Sequence, residues 1–90
     1  MASYNGWTNY ATWRVNLELF DNNYIFHIPA DMPREPYELG KHLRETAEMT
    51  IEASSPVGLA RDYAFAFLDE VNWREIAKHL IATLEENAET

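Results

Sequence analysis

The chain has 90 residues, 47% of them hydrophobic and spread along its whole length, which is enough for one core, too apolar for a disordered chain and short of two independent domains. With no cysteine it can form neither a disulfide framework nor a thiolate metal site, so its stability must come from packing, and a reducing compartment fits. Fifteen acidic against seven basic residues leave a formal charge of -8, which opposes direct binding to a phosphate backbone and favours encounter with a basic surface, such as the nucleic-acid channel of another protein.

Residues 1–90 are therefore expected to form a single domain. The opening Met1-Ala2-Ser3-Tyr4-Asn5-Gly6 has neither the basic segment nor the apolar run of a leader, and no later stretch approaches the roughly 18 apolar residues of a membrane span. A soluble, cytoplasmic protein is the expectation.

Residues 8–21 carry two periods at once. Tyr10, Trp13, Leu17 and Phe20 recur at helical spacing, while Trp13, Val15, Leu17 and Leu19 alternate with Arg14, Asn16 and Glu18 as in a strand. A helix is favoured, because Thr8 or Asn9 is a competent N-cap, Ala11, Arg14, Leu17, Glu18 and Leu19 are good helix formers, and Asp21-Asn22-Asn23 supplies a stop. Between residues 22 and 36, Pro29, Pro33 and Pro36 deny a continuous helix. The run Tyr24-Ile25-Phe26-His27-Ile28 reads as a short strand or, more simply, as an extended loop pinned by its aromatics, since a lone strand leaves its backbone unpaired.

Pro36 suits a first helical turn, and Leu39, Leu43, Ala47 and Ile51 form an apolar stripe to about Ser54, weakened somewhat by Gly40. After a turn at residues 54–58, Ala60, Tyr63, Ala64, Phe67, Leu68 and Val71 follow the i, i+3, i+4, i+7 rule, which predicts the most buried helix of the chain. Asn72 and Glu75 have the form of a capping box, with Val71 and Ile76 as its hydrophobic staple. Trp73, Ile76, Ala77, Leu80, Ile81 and Leu84 make the inner face of a fourth helix, and the polar segment from Glu85 to Thr90 is expected to fray. The predicted fold is mainly α, a compact bundle of about four helices with an extended proline-bearing loop.

The run Trp7-Thr8-Asn9-Tyr10-Ala11-Thr12-Trp13-Arg14-Val15 resembles the opening motif of a family of small proteins encoded by phages, plasmids and other mobile elements. Asn72-Trp73-Arg74-Glu75-Ile76-Ala77 is similar to a second motif near that family's end. The resemblance carries no established activity. It implies a context, since small acidic proteins of mobile elements often antagonise host defence, as anti-CRISPR and anti-restriction proteins do.

Glu38, Glu45, Glu48 and Glu52 lie at spacings of 7, 3 and 4 on the second helix, away from its apolar stripe. Carboxylates one or two turns apart, about 5 to 11 Å along a helix, can imitate a row of backbone phosphates. The plainer reading is a solvated face relieved by Lys41 and Arg44 through i, i+3 and i, i+4 pairs. Tyr4, Trp7, Tyr10 and Trp13 could form a recognition surface, but their spacing more simply turns the rings toward the core. His27, His42 and His79 are scattered, and Glu75 with His79 is one pair at helical spacing, too few ligands for a metal site. Neither a nucleophile elbow nor a glycine-rich phosphate loop is present, so no cofactor and no enzymatic activity are expected.

The sequence thus predicts a mobile-element accessory protein, monomer or homodimer, that inhibits a host defence complex such as a CRISPR effector, by steric block or acidic nucleic-acid mimicry. Glu38, Glu45, Glu48 and Glu52 are the candidate contact residues. The alternative is a self-associating structural or regulatory phage protein, joined through an apolar strip left over from helices one and four.

Overall fold

The computed structural model describes residues 6–20, 24 and 27–88. In chain order its helices are α1 (Tyr10–Leu19), α2 (Pro36–Ser54), α3 (Leu59–Leu68) and α4 (Trp73–Ala88), with no β-strand among the described residues. The chain is a mainly α bundle. Helical period therefore prevails over strand alternation in α1. Asp21 to Asn23, Ile25 and Phe26 lie outside the described residues, so the expected stop does too, with two of the five residues of the expected strand; Tyr24, His27 and Ile28 are described and are not in a strand. Tyr24 sets its ring edge-on to Phe20, with centroids 4.8 Å apart.

Local chemistry accounts for the helix starts. Asn9 caps α1 by accepting the Thr12 N–H, and Glu35 caps α2 by accepting the Glu38 N–H at 2.8 Å, with Pro36 in the first turn. Gly58, at φ 151°, adopts a backbone conformation that favours glycine and opens α3 without a side-chain cap.

The core rests mainly on the pairing of α2 with α4. Leu39, Leu43 and Ala47 of α2 meet Ile76, Ala77 and Leu80 of α4, all essentially inaccessible to solvent. Gly40 sits at their closest approach: a Cβ there would lie 3.3 Å from the backbone carbon and oxygen of Trp73. The residue that weakens α2 as an isolated helix is the one that lets α4 lie close against it.

Two expectations about burial are corrected. α3 is the least enclosed helix and not the most, with Leu68 its one fully buried residue and Leu59 and Tyr63 about two-thirds exposed. The inner face of α2 is occupied by α4, which leaves α3 on the flank. In α1 the buried positions are Ala11, Thr12 and Val15, while Tyr10 and Leu17 are exposed and Trp13 is half-buried. Thr12 faces inward because its hydroxyl has bonding partners there, and this rotates Tyr10 and Trp13 to the side. α4 runs to Ala88, and Glu89 and Thr90 lie outside the described residues.

Candidate functional site

The two sequence motifs dock on each other. The Thr12 hydroxyl donates to Asn9 Oδ1 at 2.7 Å and accepts the Asn72 N–H at 2.8 Å. Asn9 Nδ2 donates to the Glu70 carbonyl at 2.9 Å, and the Thr8 N–H donates to Glu75 Oε1 at 3.0 Å. The capping box is therefore half-formed. Asn72 Oδ1 accepts the Glu75 N–H at 3.1 Å as expected, but the Asn72 N–H is taken by Thr12, so the Glu75 carboxylate turns to Thr8 instead. Trp7 completes the joint from the side, its ring 5.3 Å from that of His79 in an edge-to-face arrangement. Trp73 Nε1 donates to the Leu68 carbonyl, tying α4 back to the end of α3.

These contacts absorb much of the polar content of both motifs into the fold. Trp7 packs against the core, Tyr10 meets Phe67 edge-on, and Asn9 is a cap, so the N-terminal aromatic cluster is partly structural and partly exposed; Tyr4 lies outside the described residues. Among the described residues no three His, Asp or Glu side chains converge as metal ligands. No described helix is long and apolar enough to cross a membrane.

The four candidate glutamates separate into two kinds. Glu38, Glu45 and Glu52 recur every two turns, stay within about 40° of one another around α2 and span about 21 Å along it. All three are exposed, and among the described residues none is in an ion pair. Glu48 is different. It is half-buried and pairs with Arg44 at 3.3 Å, and Arg44 also binds Asp69 just beyond α3. The Asp69 hydrogen bond raises the Arg44 pKa further above an already high value. Glu48 thus belongs to a clamp between α2 and α3. Lys41, expected to relieve the acidic face, lies 5.8 Å from the centroid of the Tyr37 ring, a cation–π contact.

The exposed apolar residues lie elsewhere than expected. Besides Tyr10 and Leu17 of α1 they include Met49, Val57, Leu59 and Tyr63, with none of the large ones on α4 among the described residues. Trp73, Ile81 and Leu84 of α4 are partly buried.

The family is decided by a match over residues 1–88. The chain belongs to the DUF7249 family, a family of unknown function. Its match spans both docked motifs and all four helices, so the Thr12–Asn72 joint and the acidic face both fall within the shared domain. No curated protein and no solved structure matches the chain.

Proposed function

We propose that this DUF7249 chain acts by binding a protein, offering the acidic outer face of α2 to a basic surface that ordinarily receives nucleic acid. The observation that carries this reading is the alignment of Glu38, Glu45 and Glu52, exposed and outside the ion pairs of the described residues, along about 21 Å of one helix. A row that only stabilised α2 would pair with its own lysines and arginines, as Glu48 does. The resemblance of the Trp7–Val15 motif to proteins of mobile elements supplies the class of partner. That class is a host defence nucleoprotein complex, inhibited in the manner of an anti-CRISPR or anti-restriction protein.

The test is capture of the partner from host lysate on the tagged chain, followed by a salt series and by competition with duplex DNA. An electrostatic contact in a nucleic-acid channel is released steeply by salt and displaced by DNA. A partner retained unchanged through both treatments overturns the reading.

A further inference from the structure

The crease between α1 and α3 is an open apolar groove of about 280 Å³, floored by Val15, Leu19, Ile51, Ala64 and Phe67, with Arg14 and Glu18 also lining it. Along α3, Ala60, Tyr63, Ala64 and Phe67 form the i, i+3, i+4, i+7 stripe that ordinarily marks a core-facing helix side. Here the stripe faces outward. Ala60 and Tyr63 are exposed, and Ala64 and Phe67 are only half-covered. A helix apolar over most of its circumference, with one fully buried residue, has a face built for contact that the described residues of its own chain do not provide.

We infer that this face is a two-fold interface with a second copy of the chain. Two features make it self-complementary. The first is shape: Tyr63, about two-thirds exposed, precedes Ala64 by one position and Phe67 by one turn on α3, and those two residues line the groove, so one helix offers both an exposed ring and part of a hollow, as a closed two-fold contact requires. The second is charge. Arg14 and Glu18 lie one turn apart on α1 and pair at 2.9 Å. A second α1 laid antiparallel across the groove sets its Glu18 against Arg14 and its Arg14 against Glu18, closing a ring of four alternating charges. Glu38, Glu45 and Glu52 lie about 100° or more around α2 from Ile51, the residue α2 gives to the groove, so both acidic faces stay outside the contact. The inference is therefore independent of the proposed function and is tested separately from it.

Sedimentation equilibrium of the full chain over about three decades of concentration reads the association directly. The expected mass rises toward twice the 10.5 kDa of one chain. Arg14→Glu and Glu18→Arg, both at exposed positions, each oppose like charges across the contact and weaken association at least about tenfold. An equimolar mixture of the two variants recovers it as a heterodimer, because the charges then complement across the interface while remaining alike within each α1. That recovery cannot come from repair of the intrahelical pair. A wild-type chain that is monomeric throughout, single variants that associate like the wild type, or a mixture that stays monomeric each overturn the inference.

Discussion

Thr12 and Asn72, sixty residues apart, meet in a 2.8 Å hydrogen bond from the Asn72 N–H to the Thr12 hydroxyl, and this contact joins the start of α1 to the start of α4. Thr12 is wholly inaccessible to solvent. Its hydroxyl satisfies two groups at once, the Asn9 carboxamide oxygen and the Asn72 N–H.

Replacing Thr12 by Val keeps the shape of the side chain and removes both bonds. The Asn72 N–H is left without its partner, which costs about 1–3 kcal/mol. The expected outcome in urea unfolding is a lower midpoint with an unchanged slope. Asn9→Ala removes the cap and the Glu70 contact and costs about 1 kcal/mol alone. The double variant should lose less than the sum, because Asn9 and Thr12 share a bond. Strict additivity would contradict a joint that acts as one unit.

Gly40→Ala tests the approach of α4 to α2. At an open helix position this change stabilises by about 1 kcal/mol. Here the added carbon meets the Trp73 backbone at 3.3 Å, and main chain yields less readily than a side-chain tip. A net loss of about 1 kcal/mol is expected, and a larger loss for Gly40→Val, both read from the unfolding midpoint. A rise in stability for the alanine variant would show that α4 shifts without cost.

Glu35 gives the acid limb of the stability curve a specific contributor. Hydrogen bonds from the Glu38 and Tyr37 N–H groups, aided by Arg74, hold its carboxyl below the usual value of 4.5. A lowered folded-state pKa means that the charged form stabilises the fold above the unfolded-state pKa, and that this contribution disappears as pH falls through the folded-state value. The stability gap between wild type and Glu35→Gln should therefore be present at neutral pH and close as pH falls below the usual carboxylate range. An equal gap at both ends would remove Glu35 as the titrating cap.

The split among the glutamates also has a stability signature. Glu48→Gln loosens the Arg44 clamp and costs a few tenths to about 1 kcal/mol at low salt, the range for a partly exposed pair, with the effect fading in high salt. Glu45→Gln, outside the ion pairs of the described residues, leaves the unfolding midpoint in place. Equal losses from the two substitutions would contradict the distinction between structural and surface acid.

Much of the fold was legible locally. Pro36, the Leu39–Leu43–Ala47 stripe, the turn at residues 54–58 and the Asn72 cap each announce themselves within a few residues, and α2 and α4 follow from them. What period alone could not convey was which apolar face wins the core. The stripe of α3 is as regular as that of α2, yet α2 can give its inner face to only one neighbour, and Gly40 favours α4. Tyr10 and Trp13 likewise had the right spacing for burial, but a threonine with two bonding partners took the inward position. The signal for that joint was present in Thr8, Asn9 and Thr12, polar groups set among large aromatics, which need partners if they are buried. Nothing near them in the sequence pointed to Asn72. The acidic row was legible as spacing, and so was the i, i+4 pair of Arg44 with Glu48; what only the fold reveals is Asp69, the second partner of Arg44.

The central claim is that Glu38, Glu45 and Glu52 serve binding and not folding. Its most direct test is the triple variant Glu38→Lys/Glu45→Lys/Glu52→Lys, compared with wild type for capture of the partner from host lysate and for thermal unfolding. The account predicts that the partner is lost while the fold survives, its stability lowered only by the roughly 0.3–1 kcal/mol that an acidic residue in a first turn such as Glu38 contributes. Undiminished capture by the triple variant would contradict it.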